Sequence, residues 1–424
     1  MNPKMTIKWL VVALAMEIGI AAILLIITGH WLTLLNFVSN IAILGGLGYW
    51  GIKSGIFNSN NYNRTYQRPY RQRGVQGNTM QVTIPGVKFN WGGMEQTEAV
   101  NLEFEVNSQL NSIQLDVQVG NVKVIGKPGL EKITVNGYKR VWIKDPLQGR
   151  SEFENLQVSG MQENGILRIY AGTREKINVA LGQVSRVDLE ITVPENIPGV
   201  YNVQSGELSL RNIQAELSAR SNLGNLYVEN FSSGKNLNVT SQSGSITLQQ
   251  IAAGQVHATT NLGKVELTGG GAEMLYLESS AGNVRARGVN CGIYKARTNA
   301  GSVEVYDLNS DGVIELRTNV GRVYANNVTA PGFQLTTDAG SVFYQGSTPT
   351  INSEAHSNLG SVQLRIAPGS SFALEASSNV GTVSVGLPIS NVYMQNKNNF
   401  RGIIGAGGAM IQAGSNLGSV QISN

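Results

Sequence analysis

The second half of the chain contains short segments in which apolar and polar residues alternate, and these segments occur in pairs. Around Gly301, apolar residues stand two and four positions later, at Val303 and Val305. A second apolar pair precedes the same glycine, at Tyr294 and Ala296. A spacing of two places side chains on one face of a β-strand, so each repeat predicts two short strands with apolar residues inward. No segment keeps a helical period of about 3.6 over three turns, which argues against helical repeats.

Each pair of segments flanks a corner that reads Ser or Thr, usually Asn, any residue and then Gly, as in Thr298-Asn299-Ala300-Gly301. The steps between these glycines are 18 to 21 residues, except the last step of 37, which indicates either two repeats or one repeat with an insertion. The predicted corner glycines are Gly206, Gly224, Gly244, Gly263, Gly282, Gly301, Gly321, Gly340, Gly360, Gly381 and Gly418.

A fixed period of this length is typical of stacked repeat architectures. The strand pattern within each period predicts an all-β protein, a β-solenoid with coils of about 19–20 residues and a rise of about 4.8 Å per coil. We expect regular repeats over 206–424 and irregular coils of the same solenoid over 81–205.

The corner residues favour a structural role. Glycine supplies a backbone position with positive φ, and asparagine is the next most tolerant residue. Asparagines that recur at the corner can also form a ladder from coil to coil, which admits a second interpretation as a ligand-binding stripe. These are Asn222, Asn261, Asn299, Asn319, Asn358, Asn379 and Asn416.

Two long apolar runs stand at the N-terminus. Residues 9–28 and 31–52 are each long enough to cross a bilayer as a helix, which predicts a two-helix transmembrane hairpin within 1–56. A cleaved signal peptide is the alternative. Lysine and arginine flank the pair and are absent between the runs, so the positive-inside rule predicts a multi-pass protein of the cell membrane with its solenoid in the cytoplasm. An extracytoplasmic solenoid is the alternative.

Residues 57–80 are rich in Asn, Gln, Arg and Tyr and contain no acidic residue, which predicts a basic disordered linker. Its cations could contact anionic lipid headgroups, although a plain spacer or a nucleic-acid contact is also open. The solenoid itself carries nearly equal numbers of basic and acidic residues, so no nucleic-acid partner is expected. The candidate lipid-contacting residues are Lys53, Arg64, Arg68, Arg71 and Arg73.

The composition limits the kinds of cross-link and metal site that the protein can contain. The 50 glycines and 14 % charged residues suit a turn-rich β protein, and one cysteine, Cys291, excludes an intramolecular disulfide framework. The three histidines are far apart and form no cluster with cysteine, so no metal site or cofactor is expected.

The whole arrangement resembles a known family. Val119-Gly120-Asn121-Val122-Lys123-Val124 is a first copy of the corner, an irregular stretch follows, and Ile191-Thr192-Val193-Pro194 leads into the short Gly-x-Val repeats. This succession, over roughly 108–424, resembles the bacterial putative-adhesin family, also called toastrack-type domains of unknown function. The resemblance implies a single-stranded right-handed parallel β-helix and a part in bacterial envelope-stress sensing. The usual membrane module of such proteins has more spans than the two expected here.

No catalytic residue is expected, because the polar positions after the corners form no cluster of acids on one face. We expect a non-enzymatic, membrane-tethered scaffold or sensor with membrane lipids and other membrane or signalling proteins as partners. An exported surface adhesin or glycan-binding protein is the alternative. Val420 and Ile422 continue the inward columns to the last residues, so we also expect the C-terminal coil to lie open at the tip and to self-associate, unless residues 388–414 cover it.

Overall fold

A computed structural model describes residues 80–84, 87–91, 94–143, 149–173 and 185–424. All of them belong to the second of the two units into which the chain divides, Gly77–Asn424. The described part is a β-solenoid with a single short helix. The expected hairpin, the linker up to residue 79 and the candidate lipid-contacting residues lie outside the described residues. No helix of the described residues is long and apolar enough to cross a membrane.

The strands preceding the regular repeats are longer and more varied than those within them. They are β1 (Met80–Ile84), β2 (Val87–Trp91), β3 (Met94–Glu105), β4 (Ser112–Val119), β5 (Val122–Lys127), β6 (Lys132–Ile143), β7 (Leu156–Glu163), β8 (Ile166–Thr173) and β9 (Arg186–Pro194), with helix α1 (Gly149–Asn155) between β6 and β7. Strands β1 and β2 form an antiparallel pair of their own.

The regular repeats follow in the expected region. Their strands are β10 (Gly199–Ser205), β11 (Leu208–Arg211), β12 (Leu217–Leu223), β13 (Leu226–Ser243), β14 (Ile246–Leu262), β15 (Val265–Ala281), β16 (Val284–Ala300), β17 (Val303–Ser310), β18 (Ile314–Val320), β19 (Val323–Thr329), β20 (Phe333–Ala339), β21 (Val342–Gly346), β22 (Ser353–Leu359), β23 (Val362–Ile366), β24 (Phe372–Val380) and β25 (Val383–Val385). The last strands are β26 (Ile389–Gln395), β27 (Asn399–Ile404), β28 (Met410–Leu417) and β29 (Val420–Ser423).

Parallel pairing aligns equivalent residues of successive coils. Leu248 pairs with Leu267, Leu267 with Ala286 and Ala286 with Val305, so one inward column runs through four coils. The members of this column are at most 1 % exposed. Alternation within each strand and registry between strands together fill the interior with stacked apolar side chains, as the sequence pattern predicts.

The order of coils in space departs from their order in sequence at the N-terminal end. The coil made by β4 and β5 pairs with β8 and β9 on one side and with β10 and β11 on the other. The corner at Gly120 therefore stacks beneath the corner at Gly206, 86 positions further along. The β3–β6 antiparallel pair lies against β9, and β7 lies against β8.

A second departure occurs at the C-terminal end and corrects the expectation of an open C-terminal coil. Strands β28 and β29 lie between β22–β23 and β24–β25, with parallel pairing on both sides. Val420 and Ile422 are consequently 0 % exposed. The tip is formed instead by β24 and β25. The long last step between glycines is an insertion: β26 and β27 form an antiparallel hairpin, and β27 pairs with the free side of β24.

Candidate interaction surfaces

The corner glycines occupy backbone conformations that other residues rarely adopt. All eleven predicted glycines, together with Gly120, have φ between +140° and +159°. A Cβ atom added to Gly282 would collide with the carbonyl oxygen of Gly263 in the adjacent coil, and one added to Gly301 would meet that of Gly282. Each corner therefore needs glycine for two reasons, its backbone angle and the close approach of the next coil.

The corner serine and threonine form a column of hydroxyls that the sequence reasoning did not use. Thr298 Oγ1 donates to the Gly282 carbonyl at 2.8 Å, and Ser279 Oγ donates to the Gly263 carbonyl at 2.8 Å. The residues of this column are at most 3 % exposed. Their recurrence three positions before each glycine was the available signal. Equivalent bonds come from Ser241, Thr260, Thr318, Thr337, Ser357, Ser378 and Ser415.

The expected asparagine ladder is continuous over the C-terminal coils. Asn379 Nδ2 donates to Asn416 at 3.0 Å, Asn416 Nδ2 donates to Asn358 at 2.9 Å, and Asn358 Nδ2 donates to Asp338 at 2.9 Å. Asn319 and Asn299 approach at 3.5 Å. Elsewhere Gln242 and Ser280 interrupt the asparagines at this corner position. These amides bond to one another along the stack, which supports the structural interpretation of the ladder.

From Gly263 onward, the residue immediately before each corner glycine is apolar, and these residues form a column called here the corner ridge. Leu223 is separated from this column by the polar Ser243. The large members of the ridge, 50–63 % exposed, are Leu262, Val320, Leu359, Leu417 and Val380. Alanines 281, 300 and 339 stand between them. Strand pairing joins these eight residues in the order Leu262, Ala281, Ala300, Val320, Ala339, Leu359, Leu417, Val380.

A nearly buried carboxylate lies on the sheet face that follows the corners. Glu304 is 4 % exposed and accepts hydrogen bonds from Arg285 Nε at 3.0 Å and Arg322 Nε at 3.1 Å. Burial acts to raise the pKa of Glu304, but hydrogen bonds and charge from Arg322 and Arg285 outweigh it and hold the pKa below its usual value. The same pairing raises the pKa of both guanidinium groups. Glu304 therefore stabilises the charge of each arginine, and both arginines stabilise the charge of Glu304.

Aromatic rings stack along the same face with a cation at each end. Arg287 lies 5.0 Å from the ring centre of Tyr306, and Arg365 lies 5.4 Å from that of Phe343. Between them Tyr324 lies 5.4 Å from Tyr306 and stacks on Phe343 at 4.7 Å, with 12° between the ring planes. Arg322 also lies 5.0 Å from the ring centre of Tyr324, so each ring has at least two neighbours in the stack.

A family model for the Toastrack DUF4097 domain matches residues 110–293 and 271–423, which together span most of the chain. The chain belongs to this family. The two matches overlap inside the regular repeats, in keeping with an array of similar coils.

Solved structures similar to this toastrack protein are described as putative adhesins or as a putative cell adhesion protein. They include a putative adhesin from Bacteroides fragilis NCTC 9343, with 13 % identity and a TM-score of 0.31, and a putative adhesin from Parabacteroides distasonis ATCC 8503, with 8 % identity and a TM-score of 0.26. Each alignment covers 77 % of this chain and 97 % of the other. A putative cell adhesion protein from Clostridium sporogenes ATCC 15579 has 11 % identity and a TM-score of 0.19 over 77 % of this chain and 99 % of the other. None of the curated proteins matches the chain.

The toastrack domain also has an open groove of about 800 Å³ beside Cys291, lined mostly by Gly, Ala and Ser. Burial raises the pKa of the Cys291 thiol to about 11, so this sulfur is protonated at neutral pH. Two acids, Glu273 and Asp311, line the groove. Within the described ranges, no three His, Cys, Asp or Glu residues are placed to hold a metal ion.

Proposed function

We propose that this toastrack protein is a non-enzymatic scaffold, tethered to the membrane by its N-terminal apolar runs, that acts through contacts with other proteins. The observation that carries the proposal is the capped stack of coils. Antiparallel strands lie against both end coils, β6 at one end and β27 at the other. The sides of the stack, rather than its ends, are therefore presented to partners.

The charged groups on one side of the stack support this view. Arg285 and Arg322 both pair with Glu304 from the coils on either side of it, and Lys264 pairs with Glu266 at 2.7 Å within its own coil. Acid and base catalysis needs a group whose proton is available to a substrate. These side chains are engaged instead in ion pairs, and those of Glu304 join adjacent coils, as a scaffold requires.

The glycan-binding alternative finds less support in the aromatic stack. A sugar packs against the apolar face of an aromatic ring. The faces of Tyr306, Tyr324 and Phe343 are covered by one another and by the flanking arginines. This surface presents arginine cations beside the rings, which suit polar contacts with a protein.

The proposed membrane tether is supported by the N-terminal sequence, and the proposed role in envelope stress is supported by the family resemblance. Runs 9–28 and 31–52 supply two candidate spans, and Lys53, Arg64, Arg68, Arg71 and Arg73 supply cations for anionic headgroups. The envelope-stress role is what the family resemblance implies, and we propose it as the process that the scaffold serves.

Membrane extraction tests the tether. We expect the full chain to stay with membranes through high salt and alkaline carbonate, and a chain lacking 1–56 to be released. A third chain, with the linker arginines changed to glutamine but the apolar runs intact, should remain membrane-bound and lose only its preference for anionic vesicles. Release of the full chain by carbonate would overturn the transmembrane hairpin.

A further inference from the structure

The corner ridge is an exposed apolar surface for which the scaffold proposal assigns no role. Five of its eight residues are Leu or Val with at least half of their surface exposed. At about 4.8 Å per coil, the ridge is roughly 34 Å long. Single exposed apolar residues are ordinary on a protein surface, but a continuous row indicates an interaction site.

The columns beside the ridge are almost uncharged. The position two before each glycine carries Asn or Ser along the ridge, apart from Asp338. The position after each glycine carries Asn, Ser or Thr, apart from Lys264 and Arg322. Both cations are already paired, Lys264 with Glu266 and Arg322 with Glu304. Anionic headgroups attract free cations, so this surface is poorly suited to an anionic bilayer.

We propose that the ridge is the contact between two copies of this chain, packed antiparallel about a two-fold axis that passes between Val320 and Ala339. In a two-fold contact the same patch on each copy must fit itself. This axis places Val320 beside the partner copy's Ala339, Leu359 beside Ala300, and Leu417 beside Ala281. Three large side chains then each face an alanine, and at the two ends of the ridge Leu262 faces Val380.

The flanking polar columns fit the same arrangement. An antiparallel pair brings each flanking column against its own counterpart. Asp338 then faces Asn319, whose amide can donate to the carboxylate. Arg322 faces Ser341 and Lys264 faces Thr382, so no like charges oppose each other. In a parallel pair, each ridge residue would instead face the same residue of the partner copy, so large side chains would face large ones.

Disulfide cross-linking distinguishes these arrangements. Full-length chains with Cys291→Ser carry one new cysteine each and two different epitope tags, and are co-expressed and oxidised in their own membranes. Leu417→Cys should cross-link to Ala281→Cys, because a disulfide needs Cα atoms within about 7 Å. Leu417→Cys should not cross-link to itself, because in the antiparallel pair these positions are five coils apart, about 24 Å.

A matched pair of substitutions tests the surface itself. Val320→Glu lies on the ridge, whereas Val392→Glu lies on β26 and is similarly exposed, 45 % against 56 %. The yield of the Leu417–Ala281 cross-link should fall at least about tenfold with Val320→Glu and be unchanged with Val392→Glu. Circular dichroism should show the same fold for both, since both positions are exposed.

Three results would overturn the proposal. Self-cross-linking of Leu417→Cys without the Ala281 product indicates a parallel pair. Cross-linking of Tyr393→Cys to itself, with a loss of association in Val392→Glu, indicates pairing through β26. A chain that gives none of these products, at any expression level, does not pair through the ridge.

Discussion

Each corner glycine of the toastrack solenoid satisfies two requirements at one residue, since the angle φ is positive and the neighbouring carbonyl leaves no room for a Cβ atom. Gly234 is different: its φ is ordinary and nothing lies within 4 Å of an added Cβ. The two kinds of glycine therefore provide a matched comparison.

Gly282→Ala should lower the free energy of unfolding by about 3 kcal/mol, from backbone strain and from the displaced coil. Gly234→Ala should change it by less than about 1 kcal/mol, with stabilisation the expected direction. Urea denaturation measures both. Equal effects at the two positions would show that the corner conformation is not what requires glycine.

The buried hydroxyls allow a second matched comparison. Ser279 Oγ bonds to the Gly263 carbonyl, whereas the equally buried Ser221 Oγ has no hydrogen-bond partner. Ser279→Ala should cost about 1–2 kcal/mol, since it leaves a buried carbonyl with one bond fewer. Ser221→Ala should be neutral within about 0.5 kcal/mol. A cost at Ser221 as large as that at Ser279 would contradict the hydroxyl column.

Glu304 should contribute a pH-dependent part of the stability. Its pKa in the folded protein lies below its usual value, so its contribution is complete above the pKa of the unfolded chain and is lost as the pH falls through the folded pKa. Glu304→Gln should cost about 1–2 kcal/mol at neutral pH and less in acid. Denaturation curves across pH 2–7 would show this, and parallel pH profiles for the two proteins would refute it.

The corner glycines were predictable because the chain repeats them at a readable period. The role of Ser279 and Thr298 was not, because each hydroxyl bonds to a carbonyl in a different coil. A pattern along the sequence shows that a residue recurs, but its partner is known only when the stacking of coils is known.

At the scale of elements, the order in which the coils stack could not be predicted from the sequence. The inward columns of β23, β25 and β29 read alike, each with Val two positions after the glycine. Nothing in this pattern states which coil lies beside which. The 37-residue step indicated an insertion, but not that β28 and β29 enter between two earlier coils.

Substitutions in β29 test that position. Val420 is buried between coils, whereas Gln421, the next residue, is exposed. Val420→Asp should remove hydrogen-exchange protection from β22–β25 and leave β13–β16 protected, because each coil depends mainly on its neighbours. Gln421→Asp should leave both regions unchanged. Normal protection of β22–β25 in Val420→Asp would mean that β29 does not hold the end coils together.

At the scale of the whole molecule, the β-solenoid followed from the alternation of residues, and the family match over 110–293 and 271–423 agrees with the family resemblance. The side of the membrane on which the solenoid lies stays a prediction. Protease added outside intact cells should leave 81–424 whole, while protease added to inverted vesicles should cut within 57–80. A known periplasmic protein and a known cytoplasmic protein control for leakage. Digestion of the solenoid from outside would favour the adhesin alternative.

The late entry of β28 and β29 has a consequence during synthesis. Residues 410–423 leave the ribosome after β22–β25 have been synthesised. Until then, the coil of β22–β23 and the coil of β24–β25 have an unfilled gap between them, where β28 and β29 will insert. Ribosomes that follow one another on a message carry chains with the same gap and the same final strands. The final strands of one chain fit the gap of its neighbour as well as their own, so translation at high density should favour the exchange of C-termini between chains.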